Sequence, residues 1–247
     1  MTKLAFITGS TYGLGFEVAR AFALSGYDIV LNARAECPSS LKALEEIRAL
    51  GHSAHFIPAN LSEPQCGDLI ADALLKLPTS NFCVLVNNVG RAEDCPLLPF
   101  DENKWLDQIT LNFLSAMRCI QSLHPLMNRE RAAIINTSSI RALPSSQRFD
   151  ISAYCYAKSL LNSATVTLAR QLAPSTTVNA VMPGVLDSDY AHSLPAAQID
   201  AWISATPQKR LIPPSEVANL FVCLAETRSI TGQLIAVDGG LSLAPSA

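Results

Sequence analysis

The sequence predicts one α/β domain, a doubly wound parallel sheet of about seven strands flanked by helices. Three observations carry that expectation. Short apolar runs alternate with segments of helical periodicity nearly to the end of the chain. Several runs are apolar throughout, as strands covered on both faces must be. A glycine-rich turn joins the first run to the first helix, at the rim where open α/β sheets hold their ligands.

The elements follow in order. Leu4-Ala5-Phe6-Ile7 is the first strand, closed by Gly9. A helix follows with Leu14, Val18, Ala21 and Phe22 on one face. Residues 28–33 read as the second strand, and Leu41, Leu44, Ile47 and Leu50 then recur at helical spacing. His55-Phe56-Ile57 is the third strand. Leu69, Ile70, Ala73, Leu74 and Leu77 mark the next helix, stopped by Pro78. Residues 82–86 form a wholly apolar strand ended by Asn87-Asn88. In the second half a single long helix is expected over 105–127, a strand over 132–136 and a helix over 154–172. A strand over 177–181 stops at Pro183-Gly184, and the last strand, Leu234–Val237, stops at Gly239-Gly240.

No internal boundary, repeat of fixed period or low-complexity tract divides the chain, so residues 1–247 are expected to form one domain. Residues 185–214 break the alternation. They carry Pro195, Pro207, Pro213 and Pro214, and read as an excursion over one rim that covers the substrate.

Composition narrows the functional classes. Hydrophobic residues make up 49% of the 247 and charged residues 16%, which suits a globular chain with a sizeable core. The net charge of -3, with no basic stripe, argues against nucleic acid as a partner. No apolar stretch is long enough to span a bilayer, so no membrane partner is expected. Met1-Thr2-Lys3 runs straight into a strand without a cleavable signal pattern, which makes the cytoplasm the expected location. The seven cysteines are odd in number and scattered, with no Cys-x-x-Cys pair, and the four histidines are dispersed. Neither a metal site nor a disulfide framework is expected, only thiols in a reducing compartment.

The turn Thr8-Gly9-Ser10-Thr11-Tyr12-Gly13-Leu14-Gly15 lies in the first strand–helix–strand unit, the context a phosphate-binding loop requires. Glycine lets the backbone turn sharply and approach a pyrophosphate, and the next helix aims free N–H groups and its positive dipole end at the same point. Three of the chain's 11 glycines fall here. The domain is therefore expected to be of the Rossmann type. Arg34 follows the second strand, in Leu31-Asn32-Ala33-Arg34, where a carboxylate would bind an adenosine ribose and repel a 2′-phosphate. No carboxylate occurs before Glu36. Arg34 can offer a planar set of donors to that phosphate and Asn32 a neutral hydrogen bond, so NADP(H) is expected rather than NAD(H).

Tyr154 and Lys158 lie four apart on a predicted helix and share a face. A phenol titrates near ~10 when unperturbed, and a neighbouring ammonium would lower that value. Tyr154 could then give a proton to a carbonyl oxygen or take one from an alcohol. Tyr156, two residues from Lys158, points elsewhere.

These motifs together resemble the short-chain dehydrogenase/reductase family, and the resemblance covers essentially the whole chain. It rests on the Thr-Gly-x-x-x-Gly-x-Gly spacing, on Asn87-Asn88-Val89-Gly90, on Tyr154 with Lys158, on Pro183-Gly184, and on the C-terminal run from Ile230 to Gly240. The nearest general impression is of 3-oxoacyl-carrier-protein reductases. The resemblance implies hydride transfer between NADP(H) and a small-molecule carbonyl or alcohol substrate. Tyr154 would act as general acid/base. Lys158 would also hold the nicotinamide ribose, and Ser139 would bond the reacting oxygen, in preference to Ser138. Asn112 would belong to a helix distortion that anchors a water feeding Lys158. Gly9 to Gly15, Asn60, Leu61, Asn87, Val89, Gly90, Pro183, Gly184, Val185 and Ser188 would line the cofactor. Asn60 replaces the usual Asp facing adenine, and Val89 an alanine.

The resemblance also implies a homodimer or homotetramer, through Phe113, Met117 and Ile120 on one helix and Leu160, Ala164 and Leu168 on another. Two other readings compete. One is an NADP(H)-binding regulator or scaffold without turnover. The other is reduction of a carbon–carbon double bond, as in enoyl reductases, which place six residues between Tyr and Lys; that spacing would need tyrosine at Ile151.

Overall fold

A computed structural model describes residues 2–78 and 81–243. Its strands are β1 (Lys3–Ile7), β2 (Tyr27–Ala33), β3 (Ala54–Pro58), β4 (Phe82–Asn87), β5 (Ala132–Thr137), β6 (Thr176–Pro183) and β7 (Leu234–Val237). They form one seven-stranded sheet in the order β3-β2-β1-β4-β5-β6-β7. Every pairing is parallel. All residues of β4, β5 and β6 are buried, as expected of strands covered on both faces. β7 is the edge strand and alternates exposed with half-buried residues.

Helices cover both faces. α1 (Gly13–Leu24), α2 (Pro38–Ala49) and α9 (Pro214–Glu226) pack on one side through Val18, Phe22, Ile47, Val217 and Phe221. α3 (Cys66–Leu74), α5 (Ser115–Leu123) and α6 (Ser152–Gln171) pack on the other through Ile70, Cys119, Leu123 and Ala169. α4 (Glu102–Ile109) precedes α5, and the short helices α7 (Asp189–His192) and α8 (Ala196–Ala205) make up the excursion after β6. Successive crossovers go outward from β1 in one direction and outward from β4 in the other. The strand order therefore reverses between β1 and β4, and a crevice opens at their C-terminal ends.

Three features differ from the sequence-based reading. The single helix expected over 105–127 starts earlier, at Glu102, where the Asp101 side chain accepts Lys104 N–H at 3.2 Å. It carries the distortion expected at Asn112 as a π-helical turn at Thr110–Leu114, and it ends in a 3-10 turn at His124–Leu126. α9 was not anticipated. Pro213-Pro214 looked like part of the irregular excursion, but Pro213 is the N-cap and Pro214 the first helical residue, where a missing N–H costs nothing. Leu41 and Leu69, placed on buried faces by spacing, are exposed.

Candidate active site

The glycine turn lies at the crevice. Gly9 and Gly13 both have φ of +58°, a conformation an L side chain resists. A Cβ at Gly13 would meet nothing within 4 Å, so the space above it is open. A Cβ at Gly15 would lie 2.2 Å from the Gly9 carbonyl oxygen, so α1 and the turn approach as closely as two backbones can. The N-cap of α1, Tyr12, supplies no side-chain hydrogen bond. The first-turn N–H groups of α1 therefore point outward uncapped, which is the arrangement that suits a phosphate. Glycine cradle, uncapped helix end and open space fit a dinucleotide pyrophosphate.

The turn is braced from beneath. Ser10 Oγ donates to Ile7 O at 2.7 Å and accepts Asn32 N–H at 3.0 Å. Asn32 Oδ1 accepts Gly9 N–H at 3.2 Å, while its Nδ2 donates to Ile57 O at 3.0 Å and Ala59 O at 3.3 Å. Asn32 is 1% exposed. This corrects the expectation of a hydrogen bond from Asn32 to a 2′-phosphate, because its amide is spent inside the fold. Arg34 is exposed and makes no hydrogen bond or ion pair among the described residues. Ala33 is half-buried beside it, and Asn60 is occupied locally, accepting Ser62 N–H at 3.3 Å and donating to Glu63 Oε1 at 3.2 Å. Leu61 is buried.

Two residues that sequence reasoning passed over close the crevice. Thr8 Oγ1 accepts N–H from Asn88 at 2.8 Å and from Val89 at 3.1 Å. Asn88 Nδ2 donates to the carbonyls of Thr8 and Gly9, each at 3.1 Å, and its Oδ1 accepts from Thr137 Oγ1 at 3.3 Å. Asn88 thus ties β1, β4 and β5 together across the switch point. Asn87 is turned into the sheet: its Nδ2 donates to Asn136 Oδ1 at 2.9 Å, and its own Oδ1 is buried without a partner among the described residues.

The reacting group converges from three elements. Ser139 ends the β5 turn with its Oγ accepting Arg141 N–H at 3.1 Å, and it lies near enough to Tyr154, in the first turn of α6, to favour the ionised phenol. Ser138 Oγ instead donates to the Lys158 carbonyl at 3.4 Å, so of the two serines only Ser139 faces the tyrosine. Lys158 is 2% exposed, and its Nζ donates to Thr137 O at 2.8 Å and lies 5.8 Å from the Tyr154 ring centroid. Tyr156 points away and stacks on Trp105, ring centroids 5.6 Å apart.

Asn112 sits in the π-helical turn and is 1% exposed. Its Oδ1 accepts Arg91 N–H at 2.9 Å and its Nδ2 donates to Arg91 O at 3.0 Å and Gln108 O at 3.0 Å. The amide clamps the segment after β4 to the helix. Gly90, caught between them, has no room for a side chain: a Cβ would lie 2.8 Å from both Lys158 Nζ and Asn112 Oδ1. The expected helix distortion is therefore present and touches the lysine through Gly90.

The electrostatics revise one expectation. Burial pushes the Tyr154 phenol above its ordinary value, opposed by Ser139 and the charge of Arg141. Burial alone lowers Lys158 to about 7. The groups that favour the ionised phenol are Ser139 and Arg141, and Lys158 is not one of them. The phenol keeps its proton, the form a general acid needs.

Gly184 packs on the Asp238 backbone, where a Cβ would meet the Asp238 Cα at 2.7 Å. This presses the turn Pro183-Gly184-Val185 against the segment after β7. Ser188 Oγ caps α7 by accepting Ala191 N–H at 3.3 Å. α7 and α8 then run over the rim, with Tyr190 72% exposed.

Comparison with known proteins follows the same lines. A family model described as enoyl-(acyl carrier protein) reductase matches residues 9–242. A 3-oxoacyl-[acyl-carrier-protein] reductase of Staphylococcus epidermidis is 34% identical over 98% of this chain and 99% of its own. One from Synechocystis is 32% identical over 97% and 96%. Among solved structures, the 3-oxoacyl-[acyl-carrier protein] reductase of Brucella melitensis in complex with NAD matches with a TM-score of 0.90 at 26% identity, covering 100% of this chain and 99% of that one. The Pseudomonas aeruginosa RhlG/NADP active-site complex matches at 0.89 and 28%, covering 97% and 96%.

Proposed function

Because the chain belongs to the short-chain dehydrogenase/reductase family, we propose that it transfers a hydride between NADP(H) and a carbonyl or alcohol carbon, with Tyr154 as general acid/base. The observation that carries this reading is the nearness of Tyr154 to Ser139 above a buried Lys158, beside an uncapped glycine turn. The cofactor supplies the hydride. Ser139 orients the reacting oxygen and stabilises charge developing on it. Tyr154 delivers the proton during reduction, and Lys158 binds the nicotinamide ribose. Asn112 and Gly90 hold Lys158 in place. A screen of NADPH consumption over diverse ketones tests the reading; no oxidation of NADPH with any of them would overturn it.

The description of the matching family model favours a second reading, reduction of a carbon–carbon double bond. Ile151, not tyrosine, stands where that chemistry would place its phenol. The two readings separate on an enoyl thioester offered beside a 3-oxoacyl thioester. A scaffold without turnover finds no support, since all four reacting residues are present.

Preference for NADP(H) rests on Arg34, free at the end of β2 with no carboxylate beside it. A well-formed guanidinium–phosphate contact contributes roughly 1.5–3 kcal/mol, about 10- to 100-fold in affinity. NADPH is expected to bind more tightly than NADH, and Arg34→Ala to lose most of that difference. Dissociation constants for both cofactors measure it, and equal affinities in the unmodified protein would refute it.

Two copies pairing through α4–α5 and α6 complete the reading. Leu106, Tyr156 and Leu160 are exposed there beside half-buried Trp105, Phe113 and Ala164. Ile120 is 6% exposed and packs inward, so it leaves the seam to the others, while Met117 and Leu168 lie half-buried against the sheet. Sedimentation at micromolar concentration is expected to give a dimer or tetramer; a monomer alone would remove this part. No helix among the described residues is long and apolar enough to cross a membrane, and we place the enzyme in the cytoplasm.

A further inference from the structure

We infer that Arg141 receives a carboxylate of the substrate, so that the carbonyl compound reduced at this site is an oxo acid rather than a neutral ketone. This rests on the hydride-transfer reading of the site and names its substrate class.

The position of Arg141 is set by the catalytic serine. It lies in the 3-10 turn Ile140–Ala142 directly behind Ser139, and its N–H donates to Ser139 Oγ at 3.1 Å. Its Nη1 donates to the Ser146 carbonyl at 2.8 Å, which fixes the direction of the guanidinium within the loop between Ser139 and Tyr154. That bond uses one of five donors. Among the described residues, Nε and Nη2 have no acceptor and Arg141 enters no ion pair. Asp150, the acidic residue whose field reaches it, is gripped by Arg148, through Nε at 3.0 Å and a shorter contact from Nη2. Arg141 is thus a half-buried cation beside a second cation, with no anion of its own.

A half-buried cation without an anion beside it is costly. Burial and the charge of Arg148 both disfavour the charged guanidinium, while Tyr154 feels Arg141 directly. A role as loop staple accounts for Nη1 alone. A carboxylate held by the remaining fork would neutralise the cation, and the planar donors match its geometry two to two. Since the serine fixes the reacting oxygen and the arginine follows it by two residues, the carboxylate belongs near the reacting carbon, as in 2-, 3- or 4-oxo acids.

The test pairs each of these acids with its methyl ester, in steady state with NADPH. The unmodified protein is expected to prefer the acid by ~10- to 100-fold in kcat/KM, the usual worth of such a contact. Arg141→Met should remove the preference mainly by raising KM for the acid, with kcat/KM for the acid falling at least ~10-fold further than that for the ester, and Arg141→Lys should keep part of it. An ester used as well as its acid, or an equal loss on both in Arg141→Met, would overturn the inference. Calorimetry of the acids on NADPH-loaded Tyr154→Phe protein decides the matter where turnover is absent: no binding overturns the role of Arg141. Failure to oxidise NADPH with neutral ketones and acids alike, while the acids still bind, counts instead against hydride transfer.

Discussion

Tyr154→Phe is expected to lower turnover ~10²-fold or more while leaving the affinity for NADPH nearly unchanged, the usual scale for loss of a general acid. The substitution removes one oxygen. The ring that packs at the start of α6 remains, so the fold loses about one hydrogen bond, of the order of 1 kcal/mol. The catalytic loss is much greater because neither neighbouring side chain can take over as the acid. Lys158 is committed to the Thr137 carbonyl, and Tyr156 faces Trp105. Single-turnover oxidation of bound NADPH, with a separate titration of the cofactor, distinguishes the two effects. Turnover close to normal would exclude Tyr154 as the acid. A large loss of cofactor affinity would mean that the hydroxyl serves binding more than proton transfer.

Gly15→Ala is expected to damage both stability and cofactor binding. The cause is steric, since Gly15 is not among the glycines of positive φ. The added carbon would meet the Gly9 carbonyl oxygen at 2.2 Å, the Gly9 carbonyl carbon at 3.0 Å and Asn88 Nδ2 at 2.5 Å. Neither neighbour can yield cheaply. Gly9 is held at its N–H by Asn32, and its carbonyl receives Asn88 at 3.1 Å. Overpacking of a rigid site costs roughly 2–3 kcal/mol, which for a domain of this size lowers Tm by roughly 4–12 °C. The turn must shift, and shifting it misaligns the uncapped helix end, so NADPH should bind at least ~10-fold more weakly. Gly13→Ala is the control: it carries the backbone strain of φ +58° but meets no neighbour, and should lose less. Thermal unfolding of both variants, with and without NADPH, gives the comparison. An unchanged Tm and affinity in Gly15→Ala would show that the turn is softer than its hydrogen bonds imply.

Much of this was legible in the residues. Strands buried on both faces announce themselves, because every side chain must be apolar whatever its direction; β4 and β5 are read almost to the residue. Tyr154 and Lys158 are legible because a helix turns their spacing into a shared face. What was missed depends on closure in three dimensions. Asn88 matters because β4 returns beside β1, some eighty residues earlier in the chain, and nothing local in Asn87-Asn88 says which amide faces the turn. Asn32 offers a donor in the sequence but meets Gly9, Ile57 and Ala59 only after β3 docks on β2. The phenol was expected to be acidified by its lysine, and spacing does give the neighbour. It does not give the burial, which moves Lys158 to about 7 and leaves the phenol protonated. The distortion at Asn112 was implied by the resemblance, but the bonds from Asn112 to Arg91, 21 residues earlier, were not.

The strand order also governs how the chain reaches its native state. β1 is made first yet lies in the middle of the sheet. Its partner β2 follows at once, but β4 arrives only after residue 82. The apolar side of α1, with Val18 and Phe22, waits longer still, because Val217 and Phe221 of α9 are what cover it. Lys3 is bonded to Glu226 at 2.5 Å, and Tyr27 reaches the same carboxylate at 3.1 Å. The sheet can receive one side of α1 early, but the contact with α9 joins residues some two hundred positions apart. Assembly dominated by such distant partners is slow, because the ends of the chain must meet before their contacts repay the ordering of what lies between.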